Sequence, residues 1–363
     1  MTNEFYMNRA IELAYKGTGY VSPNPRVGAV IVKNGVIIGE GWHKKFGAPH
    51  AEIDAIDNCR GIDLSGATLY VNLEPCTHFG KTPPCTNAII EKKFEKVVIG
   101  MTDPNPVVSG RGISMLKDAG IKVESDVLPE DCKWVNRFFI KNISTKLPYI
   151  IIKTAQSLDG NIATSSGESK WITNPESRKA VHALRTEVDA VLVGRRTVLN
   201  DNPSLTVRDI EGRNPVRIIF DSSLSLPIET GIFNDSASSV IVCCKPESSD
   251  GRKAELLKSR GINILPVWQN NQGKLDIQDA ISKLSREFNI ASILVEGGAS
   301  VFSSFITEKI YDELHLFIAP KIIGKGINVF GEFQTRQLVE APHFKIRAVI
   351  KRNTDIQLIA VKS

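Results

Sequence analysis

Apolar side chains at Phe5, Ala10, Ile11, Leu13 and Ala14 recur at helical spacing, and the Gly-rich stretch 16–25 ends the helix they predict. Two β-branched runs, 27–32 and 36–42, flank Asn34-Gly35. A type I′ turn needs positive φ at both central residues, so this pair predicts a hairpin. Beyond the 47–49 loop the pattern predicts a helix over 50–58, entered through Pro49, then a strand over 67–73, a helix over 86–93, a strand over 96–101, a helix over 113–119 and a strand over 121–125. A hairpin followed by alternating strands and helices predicts a mixed sheet with helices on both faces.

A second cycle starts after Lys146, so the domain boundary is placed there, giving 1–146 and 147–363. Strands are predicted at 148–154, 189–194, 216–221, 239–244, 262–267, 292–295 and 314–320. Helices are predicted at 174–187, 252–260, 277–288 and 300–307, with an antiparallel pair at 345–351 and 355–361 closing the chain. The pattern shows no internal repeat and no low-complexity tract.

A length of 363 residues agrees with two cores. Lys and Arg (45) exceed Asp and Glu (40) by five, spread without like-charge blocks, which suits a phosphorylated small molecule better than a nucleic-acid groove. No signal-peptide core and no run of about 18 apolar residues is present, so neither export nor a membrane partner is expected. Six cysteines are too few for a disulfide scaffold of this size. A reducing cytoplasm is the expected setting, where cysteines that accompany a histidine are metal ligands more often than bridges.

One constellation has that form. His50-Ala51-Glu52 opens a predicted helix, and Glu74-Pro75-Cys76 with Cys85 follows across one strand. One imidazole and two thiolates are zinc ligands, and three protein ligands leave a fourth position for a water whose pKa falls toward ~7. Glu52 lies two residues beyond the histidine and is assigned proton transfer as general acid and base. A purely structural zinc site, or three unrelated buried side chains, is the alternative. His-x-Glu with Pro-Cys and a second Cys resembles the cytidine and nucleobase deaminase superfamily, except that eight residues rather than two separate the cysteines.

That widened loop, Thr77-His78-Phe79-Gly80-Lys81-Thr82-Pro83-Pro84, together with Ser22-Pro23-Asn24-Pro25-Arg26-Val27-Gly28 and Asp103-Pro104-Asn105-Pro106, closely resembles the bifunctional pyrimidine deaminase/reductase family of riboflavin biosynthesis. The resemblance implies an N-terminal cytidine-deaminase-like α/β/α domain and a C-terminal dihydrofolate-reductase-like α/β domain. It implies deamination of 2,5-diamino-6-ribosylamino-4(3H)-pyrimidinone 5′-phosphate, with one zinc per chain, then reduction of ribosyl to ribityl with NADPH. Asn24, His43, His78 and Lys81 flank the metal motif and are candidates for the pyrimidine edge and the ribose phosphate. The turn 105–112 is read either as an anion-binding set of amides or as an ordinary turn.

The second half has no Gly-x-Gly-x-x-Gly after its opening strand, so no Rossmann fingerprint supports a nicotinamide cofactor. The strand at 292–295 does run into Glu296-Gly297-Gly298-Ala299-Ser300, a Gly-rich turn that either exposes amides to a pyrophosphate or only joins strand to helix. The stretches 154–160, 167–173, 195–208 and 295–298 resemble the family's reductase domain. By that resemblance NADPH falls to Ala155, Trp171, Thr197, Asp201 and the turn from Gly298 through Ala299 and Ser300 to Ser304. The substrate falls to Ser169, Arg185, Leu205, Arg208 and Glu296. Asp201, read as a turn residue, is the best candidate for proton handling. A homo-oligomer is expected; a nucleic-acid-editing deaminase, which would need basic and aromatic stripes, and a non-catalytic regulatory second domain are the rival readings.

Overall fold

The computed structural model describes residues 1–77, 83–106 and 108–363. They form two compact units, Met1–Lys146 and Leu147–Ser363.

The first unit runs α1 (Asn3–Tyr15), β1 (Gly28–Lys33), β2 (Val36–Trp42), α2 (Ala51–Asp57), β3 (Thr68–Val71), α3 (Cys85–Glu91), β4 (Lys96–Ile99), α4 (Arg111–Asp118), β5 (Lys122–Glu124), α5 (Pro129–Val135) and α6 (Arg137–Thr145). The sheet order is β2-β1-β3-β4-β5. β1 pairs antiparallel with β2 and β3, while β3, β4 and β5 are parallel. The hairpin turn has Asn34 at φ 52 and Gly35 at φ 78, as a type I′ turn requires.

Glycines seat the helices. A Cβ on Gly28 would lie 2.0 Å from the Ala10 carbonyl of α1, and one on Gly41 would lie 2.2 Å from the Ala55 nitrogen of α2. Gly28 pairs with Trp42 and Ala29 with Gly41, so Gly28 and Gly41 point to opposite faces and α1 and α2 cover opposite sides of the sheet. Phe5 departs from the expected buried stripe. It is 49% exposed, and α1 instead buries Tyr6, Met7, Ala10, Ile11, Leu13 and Ala14. Helices α5 and α6 carry no side-chain cap, and Leu128 precedes α5 where a Ser, Thr or Asp is usual. Neither helix was expected, although Pro129 at the first position of α5 with Glu130 and Asp131 in its first turn is a legible start signal; α6 has none.

The second unit runs β6 (Tyr149–Ser157), β7 (Asn161–Ala163), α7 (Pro175–Glu187), β8 (Ala190–Gly194), α8 (Arg195–Asp201), β9 (Val216–Phe220), β10 (Val240–Cys244), α9 (Arg252–Ser259), β11 (Asn263–Pro266), α10 (Ile277–Phe288), β12 (Ser292–Gly297), α11 (Ala299–Thr307), β13 (Glu313–Ala319), β14 (Ile327–Asn328), β15 (Phe344–Arg352) and β16 (Asp355–Lys362). Nine strands form one sheet in the order β11-β10-β9-β8-β12-β6-β13-β16-β15. The first seven are mutually parallel; β16 and β15 are antiparallel additions. β8 is buried at every position, as a central parallel strand covered on both faces must be. β12 arrives late in the chain and inserts between β8 and β6. Crevices at the carboxyl ends of such strands are where open α/β sheets bind ligands. Helix α8 was not expected: it follows Gly194 without a side-chain cap, and Asp201 is its last residue rather than part of a free turn. All six cysteines are free. Among the described residues no helix is long and apolar enough to cross a membrane.

Candidate active sites

In the first unit, α2 begins at Ala51 with His50 as its extended N-cap. Gly39 and Gly41 let the helix lie directly on β2, since a Cβ at Gly39 would meet the Ala55 carbonyl at 2.7 Å. Cys76 sits in the loop after β3, and Cys85 opens α3; the Thr86 amide and hydroxyl both donate to the Cys76 carbonyl, at 3.3 and 3.1 Å. The ligand atoms of His50, Cys76 and Cys85 all lie within 4.8 Å of one another. His50 Nδ1 is 3.3 Å from Cys85 Sγ and 3.5 Å from Cys76 Sγ. One nitrogen and two sulfurs converging without a disulfide fit a zinc ion with an open fourth position.

The electrostatics agree with that use. A hydrogen bond from Cys85 and the His50 imidazole draw the Cys76 thiol down to about 4, while its hydrogen bond to Cys76 pushes Cys85 up. The Cys76 hydrogen bond raises His50 to about 9. Glu52 is 3% exposed; burial, then the neighbouring Cys76 charge, raises its carboxyl to about 7.

Asn24 and His43 come together beside the ligands. His43 Nδ1 faces the Pro49 carbonyl at 3.0 Å and must carry the proton, because a carbonyl can only accept. Its Nε2 therefore accepts from Asn24 Nδ2 at 3.1 Å, and burial lowers its pKa, keeping the ring neutral. The His43 and His50 rings meet edge to face at 5.7 Å. His78 and Lys81 lie outside the described residues.

Glu74 has a role that the motif reading missed. Its Oε2 accepts the amides of Asp103 (3.1 Å) and Gly110 (3.0 Å), and its Oε1 those of Gly112 (2.8 Å) and Ile113 (3.2 Å). Amides of the 105–112 turn thus bind a carboxylate of the same unit, which favours the structural reading of that turn. Asn72, wholly buried, brackets the Arg26–Gly28 strand entry by accepting the Gly28 amide and donating to the Arg26 carbonyl.

In the second unit, Glu296 stands at the carboxyl end of β12, 6% exposed at its side chain. Arg185 of α7 grips it with Nε at 2.5 Å and Nη2 at 2.9 Å, and Lys153 of β6 reaches it at 3.0 Å. Burial pushes Glu296 up, but Arg185 and Lys153 outweigh it and hold the carboxyl at about 2. Arg185 Nη1 also donates to the Thr206 carbonyl at 2.8 Å, so this guanidinium is largely committed within the protein. Arg208 is exposed, and among the described residues no carboxylate bonds its guanidinium. Lys153 was overlooked, although a lysine directly after the apolar run Ile150–Ile152 of a buried strand is a legible signal.

The other candidates divide. Gly298, at φ 89, caps α11 without a side-chain hydrogen bond, and a Cβ there would meet Thr197 Oγ1 at 3.3 Å, so Thr197, Gly298 and Ala299 form one cradle. Ser300 donates to Glu332 at 3.0 Å. Ser169 donates to Asp201 at 3.3 Å. Trp171 is 65% exposed with the Arg178 guanidinium 4.5 Å above its ring, and Ala155 is half-buried on β6. Leu205, at φ 55, is buried as a whole residue, 2% exposed.

Comparison with known proteins covers both units. Residues 1–101 match the cytidine and deoxycytidylate deaminase zinc-binding region, and residues 148–358 match the RibD C-terminal domain. The riboflavin biosynthesis protein RibD of Aquifex aeolicus is 44% identical over 352 residues, spanning 97% of this chain and 96% of that protein. The Escherichia coli protein of the same name is 37% identical over 99% of both chains. The crystal structure of a diaminohydroxyphosphoribosylaminopyrimidine deaminase/5-amino-6-(5-phosphoribosylamino)uracil reductase from Thermotoga maritima superposes with a TM-score of 0.89 at 42% identity, covering 99% of each chain. Acinetobacter baumannii RibD gives 0.88 at 36% over the same shares. With relatives of this identity spanning nearly its whole length, the chain belongs to the RibD family of riboflavin biosynthesis proteins.

Proposed function

We propose that this chain is a bifunctional enzyme: residues 1–146 deaminate 2,5-diamino-6-ribosylamino-4(3H)-pyrimidinone 5′-phosphate, and residues 147–363 reduce the ribosyl group of the product to ribityl. The observation that carries the reading is the convergence of His50, Cys76 and Cys85 beside the buried Glu52, in a chain whose relatives span both units.

In the deaminase unit, His50, Cys76 and Cys85 would hold zinc, which would lower the pKa of a water toward ~7. Glu52 does not join the ligand set. Buried next to it, the carboxylate takes a proton from the attacking water and returns it to the departing amine, so that ammonia leaves neutral. Asn24 orients the ring. One of its two Nδ2 hydrogens goes to His43, which fixes the amide so that Oδ1 can accept from an N–H of the pyrimidine.

In the reductase unit, Thr197, Gly298 and Ala299 at the uncapped start of α11 would hold the pyrophosphate of NADPH, which would supply the hydride. Arg208, whose guanidinium is open, takes the ribose phosphate. Glu296, kept ionised by Arg185 and Lys153, accepts hydrogen bonds from the sugar or base. Asp201 and Ser169 lie together at the end of α8, placed to position the side chain or handle its proton.

A cytoplasmic location and a homo-oligomer complete the reading, the first supported by six free cysteines and the second by the exposed Ile346 and Val349 on edge strand β15. Light scattering on the purified chain tests the oligomer. The activity is tested by giving the zinc-loaded chain the diaminopyrimidine ribosyl phosphate. The expected result is ammonia without NADPH, followed by NADPH oxidation by the deaminated product alone. No ammonia release overturns the substrate assignment, and ammonia without NADPH oxidation overturns the reductase.

A further inference from the structure

The segment Thr206–Arg208 has no regular secondary structure, yet three side chains pin three consecutive residues of it. Arg185 Nη1 of α7 donates to the Thr206 carbonyl at 2.8 Å. Asn214 Oδ1 accepts the Val207 amide at 2.7 Å, and His182 Nδ1, also on α7, accepts the Arg208 amide at 3.3 Å. His182 and Arg185 are three apart on one helix and so face the segment together. His182 is 7% exposed, with Arg185, Arg208 and Glu296 as its charged neighbours. Burial and the two guanidiniums outweigh Glu296 and a hydrogen bond to the Thr206 backbone and lower its pKa, so the ring stays neutral, and the Arg208 amide donating at Nδ1 needs that nitrogen to keep its lone pair.

Arg185 is committed to Glu296 and Thr206, whereas the Arg208 guanidinium is free to meet an anion. Its direction depends on the backbone that carries it. We propose that His182 is a positioning residue of the reductase site: by holding the Arg208 amide it aims the Arg208 guanidinium at the substrate's ribose phosphate without touching the substrate. This rests on the reading of Arg208 as the phosphate contact.

The test uses the full zinc-loaded chain with wild-type, His182→Ala, His182→Asn and Arg208→Ala forms. Reductase KM and kcat are measured with the deaminated phosphorylated substrate. Inhibition constants are then compared for the product 5-amino-6-ribitylamino-uracil 5′-phosphate and for the same compound without phosphate. Losing one buried amide partner, His182→Ala raises KM and the phosphorylated product's inhibition constant roughly tenfold while kcat stays within about threefold. The dephosphorylated product binds as to wild type, because only the phosphate grip is disturbed. His182→Asn, whose Oδ1 can stand where Nδ1 stood, stays within about threefold of wild type.

Equal weakening of both products, a fall in kcat alone, or His182→Asn as impaired as His182→Ala would overturn the proposal. If Arg208→Ala leaves the phosphorylated product's inhibition constant unchanged, the phosphate reading itself fails. If Arg208→Ala weakens it and His182→Ala does not, the positioning role alone fails.

Discussion

Glu74 holds the loop that carries Cys76, and Glu74→Gln measures how firmly. The two carboxylate oxygens accept four backbone amides at 2.8–3.2 Å, and Glu74 is 3% exposed. Glutamine preserves the shape but turns one oxygen into an NH2 group that faces two N–H donors. Two shielded amides lose their acceptor, each costing about 1–3 kcal/mol, so the substitution destabilises the unit by roughly 2–6 kcal/mol. For a unit the size of Met1–Lys146, each kcal/mol moves Tm by roughly 2–4 °C, which puts the expected fall on the order of 10 °C. The strain is next to the metal ligands. A Cβ on Gly112 would lie 2.4 Å from the Pro75 carbonyl, so the amide-bearing segment presses directly on the residue before Cys76. Calorimetry of the zinc-loaded chain at neutral pH, with zinc release followed by a chromogenic chelator, is the assay. The expected result is a lowered transition and faster zinc release, with NADPH oxidation on pre-deaminated substrate retained. A transition within about 2 °C of wild type, with zinc equally retained, would refute the reasoning by showing that the amides find other acceptors.

Three further outcomes are expected. Glu52→Gln keeps zinc, checked by atomic absorption, but loses ammonia release by a factor of about 10²–10⁴ or more, the usual contribution of a positioned acid–base group; near wild-type deamination would contradict it. Cys85→Ser loses both zinc and ammonia release while pre-deaminated substrate still oxidises NADPH, and retention of stoichiometric zinc would exclude Cys85 as a ligand. Glu296 is held at about 2 against an ordinary 4.5, so its contribution to stability is fully present above pH 4.5 and is lost as pH falls through about 2. The gap in Tm between wild type and Glu296→Gln is therefore wide at neutral pH and narrows below about pH 4.5. A gap that stays constant from neutrality to about pH 3 would show that Glu296 is not held by its two cations.

Local information determined much of this protein. Asn34-Gly35 dictates a type I′ hairpin because both residues tolerate positive φ, and the alternation that follows dictates a mixed sheet with helices on each side. His50, Cys76 and Cys85 mark a candidate metal site by residue type and order, and the fold brings their ligand atoms within 4.8 Å of one another. What those signals lack is partner identity. Nothing in the order of residues says that the Glu74 carboxylate would gather four amides from 29 to 39 positions away, or that Arg185 and Glu296, 111 apart, would bind each other. Helix α5 carries a local start mark in Pro129, Glu130 and Asp131, whereas α6 and α8 begin without proline or acidic residues in the first turn, and the surrounding fold determines them. Hydrophobic period and turn chemistry act over a few residues and are written in the sequence. Ion pairs and shared acceptors are settled only when distant segments compete for the same buried space, and that competition exists only in the tertiary structure.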